Sequence, residues 1–346
     1  MLLSVNRYNE AAILRFAGPG GAWYPGTRSG PYRGPMWVPP PVRSVVPVIE
    51  VHQLTKSYGP VKAVEDVSFR LEAGVVNGFV GPNGAGKSTT MRMMVGLDRP
   101  TSGHCLIGGR PYTALDAPLR QVGALLDPEA IHPGRSGRNH LRVLARTHGI
   151  SARRADEVLE MVGLTSAADR RIRGYSLGMR QRLGLAAALL GDPAALLLDE
   201  PANGLDPDGI IWIRTLLRSL AREGRAVLVS SHLMGELAQT ADRLIVLGHG
   251  RVLADATVAE LVSRNATRVV QVRTDRPDEL EKLVRGRDSA VARRPDGGLE
   301  ITGMAADDVA VLAHRDGILL YEITTVPASL EDAYLSLTSG FTGGTR

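Results

Sequence analysis

The chain of 346 residues has a single cysteine, Cys105, and few aromatic residues, which make up 4% of the composition. One cysteine excludes an internal disulfide and argues against a metal site built on several thiolates. This usage is typical of a reducing cytoplasm. The sequence also contains no heptad array, which argues against a long coiled coil.

The chain also lacks an uninterrupted hydrophobic run of membrane-spanning length. Its most apolar region, residues 183–198, is broken by Gly-Asp-Pro at 191–193, which is typical of a helix, a turn and a buried strand. At the N-terminus, Arg7, Glu10 and Arg15 interrupt any apolar core of a secretory signal. We therefore expect this protein to work at a membrane only through a partner.

The net positive charge outside the first 46 residues is small. The whole chain carries a formal net charge of +5, and residues 1–46 hold five arginines against one glutamate, which is +4. The other 300 residues are therefore nearly neutral, at +1. A basic isoelectric point that arises from a terminal segment does not predict a nucleic-acid-binding face.

Residues 1–46 are rich in Gly, Pro and Arg and show no sustained periodicity. This composition predicts a disordered extension, or translated sequence upstream of a true start near Val48. The alternative is a short docking or lipid-surface segment, which the arginines together with Trp23 and Trp37 would suit.

From Ile49 the pattern becomes regular and predicts an α/β fold. Residues 48–54, 64–71 and 75–80 have the pattern of strands, and short apolar strands at 194–198, 226–230 and 243–247 alternate with helical runs. Such alternation predicts a mostly parallel sheet flanked by helices. Between Leu115 and Gly174 strands are expected to stop, and helices at 136–147 and 152–162 predict a helical insert.

A different order of elements begins near residue 266. Strands are predicted at 267–273, 290–293, 299–302 and 318–324, with helices at 279–284 and 306–314 between them. The order β-α-β-β-α-β predicts a small α+β appendage of ferredoxin-like type. A final helix at 329–337 is expected to pack onto this appendage or onto the preceding part. The predicted organisation is an extension at 1–46, a main domain at 47–265 with its helical part at about 115–180, and a C-terminal domain at 266–346.

The most informative segment is GPNGAGKST, which lies between the strand at 75–80 and a helix predicted at 90–97. A strand, a glycine-rich turn and a helix N-terminus direct backbone N–H groups and the positive end of the helix dipole at one point. A polyphosphate is the expected ligand, with Lys87 bridging its β- and γ-phosphates and the Ser88 hydroxyl binding Mg²⁺. The loop residues are Gly81, Pro82, Asn83, Gly84, Ala85, Gly86, Lys87, Ser88 and Thr89.

A second acidic element follows in the sequence LLLDEP. Asp199 and Glu200 end a predicted buried strand. Asp199 is placed to orient Mg²⁺, and Glu200 is placed to polarise a water molecule that attacks the γ-phosphate. The alternative is a strand followed by an acidic helix cap, and the upstream phosphate loop argues against it.

Further motifs in a fixed order make the chain resemble the ATP-binding cassette (ABC) ATPases from about Ile49 to Leu261. YSLGMRQR at 175–182 corresponds to the signature motif of that family, NGLDP at 203–207 to its D-loop, and Ser-Ser-His at 230–232 to its switch histidine. The resemblance implies a P-loop NTPase (RecA-like) nucleotide-binding domain with ATP and Mg²⁺ as its ligands.

The resemblance also implies roles for individual residues. Tyr58 would stack on adenine, and His232 would hydrogen-bond the γ-phosphate and hold Glu200 and water in line. Ser176 and Gly178 would contact the γ-phosphate held by a second ATPase subunit, so that two cassettes, most simply two copies, sandwich two ATP molecules. Asp206 would lie at that interface and couple the two sites.

The sequence departs from the family pattern at several positions. Leu177 and Met179 stand where Gly and Gln are usual, and this puts the affinity across the sandwich in question. Asp127 stands where the family has a glutamine that reaches metal-bound water. A shorter acidic side chain at that position is still expected to reach that water, so Asp127 is a candidate metal-site residue.

The variant motifs, together with SLEDAYLSLT near the C-terminus, resemble the branch of cassettes that serve separate exporter permeases, similar to those for bacitracin and other antibiotics. That resemblance implies a peripheral subunit on the cytoplasmic face of the membrane. The alternatives are a cassette that acts on ribosomes or DNA and an importer ATPase. A single cassette, a nearly neutral body and a mixed α/β C-terminal part argue against both, and no nucleic-acid partner is expected.

Overall fold

A computed structural model of the chain describes residues 47–231, 234–264, 269–285, 287, 289–326 and 330–338. The prediction of a disordered extension at 1–46 therefore lies outside the described residues. The strands are β1 (Pro47–Tyr58), β2 (Val61–Glu72), β3 (Val76–Val80), β4 (Ser102–Ile107), β5 (Val122–Leu125), β6 (Ala195–Leu198), β7 (Ala226–Ser230), β8 (Arg243–Gly248), β9 (Arg251–Thr257), β10 (Val269–Thr274), β11 (Ala290–Arg293), β12 (Leu299–Thr302) and β13 (Leu320–Val326).

The helices connect these strands and cover the sheets. They are α1 (Lys87–Met94), α2 (Pro118–Gln121), α3 (Gly137–Thr147), α4 (Ala152–Met161), α5 (Leu177–Leu189), α6 (Pro207–Arg222), α7 (Met234–Thr240), α8 (Val258–Arg264), α9 (Pro277–Arg285), α10 (Ala306–Arg315) and α11 (Leu330–Thr338). No described helix combines the length and the apolar character that a bilayer crossing requires.

The central sheet has the strand order β5-β6-β7-β3-β8-β9 and is parallel except for the antiparallel edge strand β9. Its strands β3, β6 and β7 are buried over their whole length. Residues of β6 alternate between two hydrophobic clusters, with Leu196 and Leu198 in one and Ala195 and Leu197 in the other. The sheet is therefore covered on both faces, as a parallel sheet requires. The prediction of an α/β fold with a mostly parallel sheet is confirmed.

A second, antiparallel sheet has the order β2-β1-β4. The strands predicted at 48–54 and 64–71 form its β1 and β2, and both are longer than predicted. Its buried residues Ile49, Val51 and Phe69 share a cluster with Met91 of α1 and Leu197 of β6. The small sheet and α1 therefore cover one face of the central sheet.

The expectation that strands stop between Leu115 and Gly174 is wrong at one place, because β5 is a strand of the central sheet. Its sequence is only VGAL, too short to show a period. The predicted helices in this region are present as α3 and α4. The helix after the phosphate loop begins three residues earlier than predicted, at Lys87, and so takes in the end of the loop motif.

The C-terminal strands form a sheet of order β11-β12-β10-β13, antiparallel throughout. With α9 after β10 and α10 after β12, this is the predicted β-α-β-β-α-β order with ferredoxin-like topology. Its core includes Val270 and Val272 of β10, Leu280 of α9 and Val309 of α10. The last helix, α11, packs on α7 and α8 of the preceding part.

Candidate nucleotide site

The phosphate loop joins the end of buried β3 to the start of α1. Gly84 and Gly86 have φ angles of 80° and 99°, the left-handed region that glycine adopts without strain. A Cβ on Gly86 would lie 2.5 Å from the carbonyl oxygen of Ala63, so the close approach of β2 also requires glycine there. Because α1 begins immediately after Gly86, its first unpaired N–H groups border the loop.

Lys87 lies inside this loop and is only 8% exposed. Its ammonium donates to the carbonyl oxygens of Gly81 at 2.7 Å and Pro82 at 3.2 Å. Burial lowers the pKa of Lys87, and the nearby carboxylates of Glu200 and Asp199 oppose that shift. The desolvated cation and the loop N–H groups suit a phosphate, and the two acidic groups beside them suit a cation such as Mg²⁺.

The loop and the acidic pair line a common cavity of about 480 Å³. Residues from Asn83 to Thr89, with Asp199 and Glu200, are therefore brought together as predicted. The cavity is also lined by residues not named as site residues from the sequence, namely Ala63, Leu126, Pro128, Leu177, Gln181 and Asn203. A hydroxyl on Ser88 and a carboxylate on Asp199 across one polar cavity are oxygen donors of the kind that Mg²⁺ prefers.

The acidic pair is held by side chains from neighbouring elements. The Ser230 hydroxyl donates to Oδ1 of Asp199 and accepts the backbone N–H of Glu200 at 2.9 Å. The Glu200 carbonyl accepts the side-chain amide of Gln181 at 2.8 Å. Glu200 has a φ of 48°, which is uncommon for a residue with a Cβ. Both Ser230 and Gln181 stand inside the quoted motifs, but nothing in their spacing predicts these contacts.

Tyr58 and Asp127 lie outside the lining of this cavity. The Tyr58 hydroxyl donates to Asp98 at 3.2 Å, and its ring is about half exposed at 49%. The exposed Asp127 carboxylate accepts the N–H of Glu129 at 2.9 Å, while its neighbours Leu126 and Pro128 line the cavity.

The signature and D-loop residues lie beside each other at two helix starts. Exposed Ser176 caps α5 by accepting the N–H of Met179 at 3.3 Å, and Asp206 caps α6 by accepting the N–H of Gly209 at 2.9 Å. A Cβ on Gly178 would lie 3.1 Å from the carbonyl oxygen of Gly204. Ser176, Gly178 and Asp206 are likewise outside the lining of the cavity.

His232 lies outside the described residues; the buried Ser231 precedes it.

Comparisons with known proteins agree with this geometry. Residues 64–203 match the family described as ABC transporter, and residues 268–331 match a domain of unknown function. The chain is 40% identical over 298 residues to the uncharacterized ABC transporter ATP-binding protein YhcH of Bacillus subtilis, covering 84% of this chain and 96% of that protein. It is 40% identical over 221 residues to the bacitracin transport ATP-binding protein BcrA of Bacillus licheniformis, covering 63% and 72%.

A solved structure gives the same result for the fold. The dimeric post-hydrolysis structure of the ATP-binding cassette MJ0796 with ADP and Pi superposes with a TM-score of 0.56 at 26% identity. The match covers 60% of this chain and 98% of that one.

Proposed function

The chain belongs to the ABC transporter family, whose ATPase domains hydrolyse ATP with Mg²⁺, and from this premise we propose that it powers export through a separate membrane permease. The proposed cargo is a drug, an antibiotic or a lipid-like molecule. The observation that carries the proposal is the similarity to a bacitracin transport ATP-binding protein. The permease is proposed to be a separate chain because relatives of this chain are named as the ATP-binding proteins of transporters.

The first part of the reaction is the binding of the triphosphate by the loop. Backbone N–H groups of residues 81–89 surround the phosphates, and the Lys87 ammonium exchanges its loop carbonyls for the β- and γ-phosphate oxygens. The Ser88 hydroxyl and the Asp199 carboxylate would hold Mg²⁺, which when bound would neutralise charge on the phosphates. The half-exposed Tyr58 stacks on the adenine.

The second part is attack by water. The Glu200 carboxylate accepts a proton from the attacking water. This role is supported by the position of Glu200, which lines the same cavity as the phosphate-binding Lys87. The hydrogen bond from His232 to the γ-phosphate is proposed from the family resemblance alone. The contact of Asp127 with metal-bound water is proposed on the same basis.

The third part requires a second ATPase subunit, most simply another copy of this chain. Ser176 and Gly178 at the start of α5 face the γ-phosphate of the opposite subunit, and Asp206 couples the two sites. ATP favours the closed pair, and hydrolysis releases it. The groove between the central sheet and the helices α3 and α4, near Asp127, passes this movement to the permease at the cytoplasmic face of the membrane.

Affinity purification of the tagged protein from detergent-solubilised membranes of its host tests this proposal. We expect a stoichiometric polytopic membrane protein in the eluate, identified by mass spectrometry. The matched control is an unrelated protein with the same tag, which should not retain that partner. Ribosomal proteins or DNA in place of a membrane protein would contradict the transport role and leave the ATPase chemistry intact.

A further inference from the structure

The backbone of Glu200 is held in an unusual conformation from both sides. Its φ of 48° lies in the left-handed region, which residues with a Cβ occupy only where surrounding structure imposes it. On one side the N–H of Glu200 donates to the Ser230 hydroxyl at 2.9 Å. On the other side its carbonyl accepts from Gln181 Nε2 at 2.8 Å and from the Asn203 N–H at 3.1 Å.

Gln181 is a buried polar side chain that is placed to hold the backbone of Glu200. It is 2% exposed, lies on α5 and lines the same cavity as Lys87 and Glu200. A buried amide is retained where its hydrogen bond is needed, because leaving it unpaired is unfavourable. The bond runs from α5 to the second residue after β6, so it joins two elements that are separate in the sequence.

We propose that Gln181 is a positioning residue that holds the backbone of Glu200 so that the Glu200 carboxylate faces the attacking water. The inference rests on the proposed role of Glu200 as general base. Rotation about the Glu200 backbone displaces its carboxylate from the cavity, and misplacement of a reacting group by about 1 Å can lower a rate about 100-fold. Because Ser176 caps α5, the same bond connects the base to the helix proposed to meet the second subunit.

The test is the variant Gln181→Met, which keeps the approximate size of the side chain and removes the amide donor. We expect kcat for ATP hydrolysis to fall about 10- to 100-fold while the Kd for ATP, measured with a fluorescent ATP analogue, is unchanged. Gln121→Met is the matched control, because Gln121 is exposed at the end of α2, and it should keep the wild-type kcat. Should Gln181→Met fail to fold, Gln181→Glu keeps the shape, replaces the donor by an acceptor and is expected to lower kcat similarly.

The same substitution in the Glu200→Gln background separates positioning from a general structural role. If Gln181 acts through Glu200, adding Gln181→Met leaves the residual rate of Glu200→Gln unchanged within about twofold. An equal fall in both backgrounds, or a wild-type kcat in Gln181→Met, would overturn the inference while the role of Glu200 stands. A wild-type rate in Glu200→Gln alone would overturn the general-base role and, with it, this inference.

Discussion

At the scale of single residues, the site depends on groups that the folded chain holds in unfavourable states. Lys87 is almost fully buried, and burial lowers its pKa. Its carbonyl partners and the two nearby carboxylates offset that effect only in part. Such a residue is retained for what it binds, and not for stability.

Replacing Lys87 by Met is therefore expected to abolish ATP binding without lowering the unfolding temperature of the nucleotide-free protein. A lowered pKa means that protonated Lys87 disfavours the folded state at every pH below its folded pKa, and this effect disappears above its ordinary pKa. The stability gained by Lys87→Met should thus be full below the folded pKa of Lys87 and shrink as the pH rises from there toward 10.5. Differential scanning fluorimetry between pH 7 and 10 measures it.

The matched control is Lys62→Met, which removes an exposed lysine that pairs with Glu65 on the surface. It should keep ATP binding and change the free energy of unfolding by about 0–1 kcal/mol. A lower unfolding temperature for Lys87→Met than for wild type at pH 7 would contradict the account of Lys87.

At the scale of elements, periodic patterns predicted the long strands and helices, and motif order predicted the loop and the acidic pair. What they could not predict depends on tertiary contacts. β5 is a strand because it pairs with β6, and Gly123 is needed because a Cβ there would lie 2.0 Å from the carbonyl oxygen of Ala188 in α5. From the sequence, Gln181 is one more polar residue of a helix. Its contact with Glu200 is visible only in the folded structure.

Helix α11 packs on α7 and α8 of the ATPase core. Leu330 and Ala333 are buried against a surface that includes Val80, at the end of β3, and Met234, at the start of α7. Val80 immediately precedes the phosphate loop. The packing of α11 therefore supports strands and helices that carry the site.

Ala333→Glu is expected to destabilise the protein by about 3 kcal/mol, because it places a carboxylate in this apolar contact. Thermal unfolding with and without ATP measures the effect. Leu335→Glu is the control on the same helix, since Leu335 is 61% exposed, and it should change stability by no more than about 0.5 kcal/mol. Equal unfolding temperatures for Ala333→Glu and wild type would show that α11 does not support the core.

At the scale of the whole molecule, the proposed function gives one chain two half-sites. The phosphate loop and the acidic pair line one cavity, whereas Ser176, Gly178 and Asp206 stand outside its lining. Ser176 is an exposed helix cap, so its surface is accessible to a partner. In the proposed pair a second subunit brings this surface to the nucleotide, and the similar cassette MJ0796 has a dimeric structure.

The mass of Glu200→Gln in solution, measured by light scattering with ATP and with ADP, tests this account most directly. Slowing hydrolysis by about 10²- to 10⁴-fold should leave ATP in place and trap the closed pair. We predict a dimer with ATP and Mg²⁺ and a monomer with ADP. A monomer that is saturated with ATP, or hydrolysis by Glu200→Gln at the wild-type rate, would contradict the account.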